Sequence, residues 1–213
     1  MPVLFCEWAV LGNFKPMENS EYKLQLIHYM SERIDLTQQE KENIASYYSV
    51  RRISKKDHLF EQGDPCVVEC FVVKGTLRVY YTDLKGQEHV LNFAFPDWWV
   101  GDMASFLSGE PSSLSVQALE DTIVLTIDPK RKEALLEAHP KLERFFRIII
   151  QKHLSAFQKR FLLTLSASAT ERYQELIRRS PGIEQLVPQH QIASYLGILP
   201  ESLSRMKKQL LKQ

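Results

Sequence analysis

Charged side chains recur at helical spacing close to the C-terminal end of the sequence. Glu201, Arg205, Lys208 and Lys212 are separated by 4, 3 and 4 residues, so they share one face of a helix. An arginine on such a face can donate two hydrogen bonds to O6 and N7 of guanine, and a glutamate can accept one from N4 of cytosine. Lysine ammonium groups can neutralise phosphates, and serine hydroxyls can reach bases or phosphates. The set predicted to contact DNA is Glu201, Ser202, Ser204, Arg205, Lys207, Lys208 and Lys212.

Two short helices joined by a tight turn would position this face. Pro188 suits the start of the first helix, because the N–H that proline lacks would be unpaired there. Gly197 stands where the chain must turn and can adopt a positive φ, and Pro200 would begin the second helix. Together these signals predict a helix-turn-helix, whose second helix lies in the major groove. The predicted inward-facing residues are Ile192, Ala193 and Leu196 of the first helix and Leu203, Met206 and Leu210 of the second.

Positive charge is concentrated in the same part of the sequence. The formal net charge of the chain is only +1, so any nucleic-acid site must be a local patch. Residues 168–213 contain seven Lys or Arg and four Glu, which leaves a net charge of −2 for the preceding residues. The alternative is a basic helix face that is simply solvated.

The overall composition is typical of a soluble globular protein with one or two domains. The 213 residues are 44% hydrophobic and 25% charged, and no run of about 18 apolar residues is long enough to cross a membrane. The three cysteines, Cys6, Cys66 and Cys70, are too few and too scattered for a disulfide scaffold or a metal cluster. We expect buried thiols and a cytoplasmic location. Residues 1–16 carry Glu7 and no basic start, which disfavours a secretory signal, and their role is left open.

The middle of the chain predicts an antiparallel sheet structure. Short runs rich in Val, Phe, Tyr, Thr and Ile alternate with glycine from residue 50 to residue 128. The segment from Asp83 to Gly86 predicts a turn between two of these strands. Many short strands at close spacing indicate a sandwich or roll. The predicted strands are 71–75, 76–83, 87–95, 113–119 and 122–127.

Helices flank this region on both sides. Predicted helices are 20–32, 37–48, 129–138, a long one from Pro140 to about Leu165, and 168–179. Thr37 and Glu40 match a capping box, which satisfies free N–H groups at a helix start. A stripe along the long helix predicts that part of it packs on the roll and part pairs with a second subunit, the alternative being a plain core helix. The stripe comprises Leu142, Phe146, Ile149, His153, Phe157, Phe161 and Leu165.

Five segments in a fixed order resemble the Crp/Fnr family of bacterial transcription regulators. They are 58–64, 71–80, 100–128, 139–146 and 191–205. The resemblance implies an α+β fold: an N-terminal antiparallel β-roll for an effector, a long dimerisation helix, and a C-terminal helix-turn-helix domain lacking a full wing. It implies DNA with a palindromic operator and a second copy of the chain as partners, RNA polymerase as a further candidate, and no membrane. The corresponding divisions are residues 1–16, 17–138, 139–166 and 167–213.

The resemblance also bears on the effector. The cyclic-nucleotide-binding members use a Gly-Glu pair for the ribose and an Arg-Ser pair for the cyclic phosphate. Gly101 and Asp102 stand at the first pair and Ser112 and Ser113 at the second, so the arginine is missing. Phe157 replaces a polar residue that reaches the base. We therefore predict that these five residues line a pocket without tight affinity for cyclic AMP, open to another small molecule and holding neither a metal nor a cofactor.

Two other classes of protein are alternatives to a DNA-binding regulator. A cupin-like enzyme would need several histidines converging on a metal, but the roll has only His58 and His89, and no arrangement of residues suggests catalysis. A dimeric ligand-binding or interaction module without sequence-specific DNA binding is the stronger alternative. Leu199 stands where a Ser or Thr would cap the second helix, and the wing is missing.

Overall fold

The computed structural model describes residues 19–65 and 68–210, in which helices flank two antiparallel sheets. The predictions on residues 1–16, Cys6, Cys66 and Lys212 fall outside these ranges. The helices are α1 Asn19–Ser31, α2 Gln38–Ser46, α3 Met103–Ser108, α4 Pro129–Ala138, α5 Lys141–Ser166, α6 Ala169–Arg179, α7 Ile183–Leu186, α8 Gln189–Leu196 and α9 Pro200–Leu210. The strands are β1 Ser49–Ile53, β2 His58–Phe60, β3 Glu69–Lys74, β4 Leu77–Thr82, β5 Glu88–Ala94, β6 Trp99–Val100, β7 Ser115–Ala118 and β8 Thr122–Ile127.

The two sheets form the predicted β-roll. Within the described ranges their strand orders are β1-β8-β3-β6 and β2-β7-β4-β5, and every pairing is antiparallel. Successive side chains of a strand point to opposite faces, so β3 contributes side chains to two separate hydrophobic cores. Cys70 and Val72 pack between the sheets, whereas Phe71 and Val73 pack against the helices. The buried position of Cys70 agrees with the expectation for its thiol.

The strands that the sequence predicts are confirmed, and three others, β1, β2 and β6, were missed. The turn at Asp83 is also confirmed, because Gly86 N–H donates to Asp83 O at 2.9 Å and Gly86 has a φ of 79°. The sequence does not predict strand β1, because Arg51 and Arg52 are exposed on its two faces and interrupt the alternation of apolar and polar residues. Strands β2 and β6, like α3 and α7, are too short to show a periodic pattern.

The capping signals act as expected. Thr37 forms the capping box with Glu40 at the start of α2, where the Thr37 hydroxyl accepts from Glu40 N–H at 3.3 Å. A second capping box joins Ser168 and Glu171 at the start of α6. Inside the described ranges, no helix has the length and apolar character needed to cross a membrane.

Helix α5 divides the predicted stripe between the chain's own core and a solvent-exposed part. Leu142, Phe146 and Ile149 are buried in the chain's own core with Phe145, so they cannot meet a second subunit. The Phe146 ring lies 5.5 Å from that of Trp99 on β6. The sequence did not indicate where this division falls, because periodicity identifies an apolar face without indicating which surface covers it. Of the residues in the predicted stripe, Phe157, Phe161 and Leu165 present more than half of their surface to solvent as large apolar side chains.

Replacing Leu142 with alanine tests this assignment. Because Leu142 is fully buried, Leu142→Ala should lower the free energy of unfolding by about 2–5 kcal/mol. The matched control is Leu24→Ala on α1, where the leucine is 64% exposed and the change should be small. Urea denaturation measures both. A dissociated dimer with little loss of stability would instead return Leu142 to the subunit interface.

Candidate nucleic-acid interface and effector pocket

The turn between α8 and α9 has the geometry that the sequence predicts. Gly197 adopts the left-handed conformation with a φ of 67°, and its N–H donates to Ser194 O at 3.0 Å. The only difference lies at Pro188, which is the N-cap residue of α8 and not its first helical residue. Leu199 offers no side-chain cap, but its carbonyl accepts from Ser202 N–H at 3.0 Å. The two helices therefore form without a polar cap on α9.

The inner faces of α8 and α9 build a small core with α6 and α7. Ala193 is fully buried, which lets the two helices approach closely. Arg172 on α6 holds the end of α8, since its guanidinium donates to Leu196 O at 2.9 Å. The predicted inward-facing residues are confirmed, with Leu210 only partly buried. The other buried members are Ile192, Leu196, Leu203 and Met206 from α8 and α9, Tyr173, Leu176, Ile183 and Val187 from the segment before them, and Tyr80, Val90 and Phe93 from β4 and β5.

The outer face of α9 is open to solvent. Glu201, Arg205 and Lys208 are exposed on it, while Ser202 and Ser204 are partly exposed at its margins. The guanidinium of Arg205 lies 3.5 Å from the Ser202 hydroxyl, a weak contact that leaves its donors available. The structure thus brings these five predicted residues together on one accessible surface.

Lys207 departs from the predicted set. Its ammonium forms an ion pair with Glu184 on α7, and Glu184 also accepts a hydrogen bond from the Tyr173 hydroxyl at 2.9 Å. Burial and this hydrogen bond raise the pKa of Tyr173 to about 12. Lys207 therefore joins α9 to α6 and α7, and it is not free for a phosphate as the sequence suggested.

Helix α8 docks on the open edge of strand β5, a contact that the sequence did not predict. Ser194 lies across this edge: its hydroxyl accepts from Val90 N–H at 3.0 Å and donates to Glu88 O at 2.9 Å. The ring of Tyr195 lies 5.5 Å from that of Phe93. The edge strand of a sheet has backbone N–H and C=O groups that no neighbouring strand pairs. Ser194 satisfies two of these groups on β5. No sequence signal identifies Ser194, because a serine on a helix surface is ordinary.

The predicted effector residues Asp102, Ser112 and Ser113 form one hydrogen-bonded cluster, in which Asp102 and Ser112 are buried and Ser113 is exposed. One oxygen of the Asp102 carboxylate accepts from the Ser112 hydroxyl at 2.9 Å, from Ser113 N–H at 3.1 Å and from the Ser113 hydroxyl at 3.3 Å. The other accepts from Ala104 N–H at 3.1 Å and Ser105 N–H at 3.3 Å. Burial by itself would raise the pKa of Asp102, but the hydrogen bonds together lower it, so the carboxylate is charged.

Gly101 and Phe157 do not join this cluster. Gly101 borders a cavity of about 110 Å³ between the roll and α5, together with Glu69, Trp99 and His153. Phe157 lines a different cavity of about 200 Å³ that lies between β5, α5 and the helix-turn-helix. The single pocket predicted from the sequence is therefore divided, because Phe157 lies further along α5 than the part that packs on β6.

The smaller cavity adjoins buried polar groups that sequence reasoning missed. Lys132 on α4 forms an ion pair with Glu69, and both side chains are largely buried. Among the described residues, the indole N–H of Trp99 and the hydroxyl of Tyr48 have no hydrogen-bond partner. Burial lowers the pKa of His153, although the nearby Glu69 opposes this effect. His153 lines this cavity and is exposed to solvent, so it does not continue the apolar stripe.

Comparison with known proteins places this fold among relatives. The model of the cyclic nucleotide-binding domain family matches residues 50–139. The transcriptional activator protein anr of Pseudomonas aeruginosa is 29% identical over 167 residues, which cover 73% of this chain and 68% of that protein. The cyclic AMP receptor protein of Thermus thermophilus is 27% identical over 165 residues, which cover 76% of each chain. The solved structure of FixK2 from Bradyrhizobium japonicum matches with a TM-score of 0.66 at 22% identity, covering 78% of this chain and 85% of that one, which confirms the predicted fold.

Removing the Ser194 hydroxyl tests the contact between α8 and the roll. Ser194→Ala leaves Val90 N–H without its acceptor, so amide hydrogen exchange at Val90 should accelerate. The loss should be of the order of one hydrogen bond, about 1 kcal/mol. Ser155→Ala, on the exposed part of α5, is the control and should leave this amide unchanged. Equal exchange rates in all three proteins would show that α8 does not hold the β5 edge.

Proposed function

Since the chain belongs to the Crp/Fnr family of transcription regulators, we propose that it binds DNA as a homodimer and reads a palindromic operator with α9. The observation that carries this proposal is the exposed face of α9. Its three charged residues, Glu201, Arg205 and Lys208, stand on a helix whose inner face is firmly packed. A helix of this kind fits the major groove, where its first turns meet the base edges.

The residues of this face have separate roles in the proposal. Arg205 donates two hydrogen bonds to a guanine and Glu201 accepts one from a cytosine, so these two residues specify sequence. Lys208, together with the predicted Lys212, neutralises phosphates and supplies affinity that does not depend on sequence. Ser202 and Ser204 contact bases or phosphates at the margins of the face. RNA polymerase as a further partner stays a prediction from the family resemblance.

Dimerisation in the proposal uses the second half of α5. Six large apolar side chains there are each more than half exposed, and five of them are spaced by 4, 3, 4 and 4 residues. This spacing forms one stripe along about 24 Å of helix, which suits pairing with the same stripe of a second copy. A soluble chain rarely leaves such a stripe uncovered. The stripe comprises Ile150, Leu154, Phe157, Phe161 and Leu165.

The proposed DNA contacts are tested by selecting bound sequences from random duplexes. Arg205→Ala should relax preference at one base position in each half-site by about 1–3 kcal/mol, because one bidentate contact is lost. Lys208→Ala is the matched control: it should weaken binding to all sequences alike and reduce the salt dependence by about one charge. An unchanged preference in Arg205→Ala would remove this residue from base recognition. Binding by the unaltered chain without any enriched palindrome would favour the interaction module.

The proposed dimer is tested with a charge placed on the α5 stripe. Phe161→Glu should give a monomer in sedimentation velocity, because pairing would bury its carboxylate among apolar side chains. Lys159→Glu is the matched control, since Lys159 lies on the opposite face of the same helix and is exposed. It should remain a dimer. A dimer that survives Phe161→Glu would place the subunit interface elsewhere.

A further inference from the structure

The Asp102 carboxylate occupies the centre of the cluster where the family resemblance places an anionic ligand. Asp102 is 5% exposed and Ser112 is 2% exposed. Among the described residues, the carboxylate accepts hydrogen bonds from backbone N–H groups and serine hydroxyls. These donors are neutral. They stabilise the single negative charge of Asp102, but they carry no positive charge that could balance a second anion beside it.

A phosphate diester would compete with Asp102 for the same donors. It would bring a second negative charge beside the buried carboxylate of Asp102, which raises its free energy unless a cation enters with it. The hydroxyl of Ser112 is already engaged, because Asp102 and Leu114 O both lie 2.9 Å away as acceptors for its hydrogen, and its oxygen accepts from Leu114 N–H at 3.1 Å. The cluster is therefore complete without a ligand.

The cluster is connected to the helix-turn-helix through the second sheet. Ser113 lies two residues before the start of strand β7, and Ser115 of β7 pairs with Tyr80 of β4. Strand β4 pairs with β5, whose edge holds Ser194 of α8. Three adjacent hydrogen-bonded elements thus join the carboxylate to the domain that carries α9. Such a continuous path can transmit a change in one element to the next.

We propose that Asp102 is a built-in anion that takes the place of an effector and holds the roll in its DNA-binding arrangement. This inference rests on the proposed function, because it names the regulation of the same protein. It assigns the chain DNA binding that needs no cyclic nucleotide. It also assigns Ser112 and Ser113 to holding this side chain in position, and not to holding a phosphate.

Removing the carboxylate and supplying it from solution tests the proposal. Full-length Asp102→Ala should bind the selected duplex about tenfold more weakly, and millimolar formate should restore binding by occupying the vacated donors of Ser112 and Ser113. Chloride at equal ionic strength should not restore it. The matched control is Asp121→Ala, which removes an exposed carboxylate that accepts from Lys55 N–H at 2.9 Å on the same roll. If Asp102→Ala fails to fold, Asp102→Asn replaces it, because this variant keeps the shape of the side chain and loses its charge. It should bind the duplex more weakly than the wild type, but by less than the tenfold expected of Asp102→Ala.

Several outcomes would overturn the proposal. One is a wild-type chain that binds the duplex only when cyclic AMP or cyclic GMP is added. Another is an Asp102→Ala or Asp102→Asn variant that binds as the wild type does. Amide exchange at Val90 separates this proposal from the proposed function, because it needs no DNA. If the wild type binds no duplex, formate-reversible acceleration of exchange in Asp102→Ala still supports the built-in anion, and unchanged exchange refutes it.

Discussion

The structure depends on helix α5, which packs in the core of the chain with its first part and carries an exposed apolar stripe on its second part. The first part of α5 is buried against α1, α2 and the outer face of the roll, where Phe145 and Phe146 surround Trp99. The second part extends beyond that core and leaves its apolar stripe uncovered in the single chain. Because both parts belong to one continuous helix of 26 residues, the position of the roll fixes the direction of the exposed stripe. Any partner that covers the stripe is therefore held at a set angle to the roll.

The same constraint decides where the helix-turn-helix can lie. Helix α5 ends at Ser166, and α6 begins after a connection of only two residues, so the C-terminal helices fold back beside β5. There α8 meets the open edge of the second sheet, where Ser194 pairs with the backbone of Glu88 and Val90. Docking through α8 leaves α9 facing solvent. The contact thus anchors the domain without covering the face that we assign to DNA.

The roll contains a buried negative charge, the Asp102 carboxylate, both of whose oxygens accept hydrogen bonds. Asp102 is both the N-cap of α3 and the acceptor for Ser112 and Ser113. A carboxylate with this many donors is stabilised in its charged form, which lowers its pKa below the ordinary value. Its contribution to stability is present above the unfolded-state pKa, about 3.9, and is lost as the pH falls through the lower folded-state value. The cluster is therefore intact at neutral pH.

The sequence by itself determined the features that depend on neighbours along the chain. Pro188, Gly197 and Pro200 specify the two helices and their turn, and short-range alternation specifies most strands, because these signals act over a few residues. The tertiary structure alone decided how α5 divides its apolar residues between the core and a partner. It also decided that Lys207 pairs with Glu184 and that α8 covers the β5 edge. Periodicity shows that a face is apolar or charged, but only the packing of distant segments determines what that face contacts.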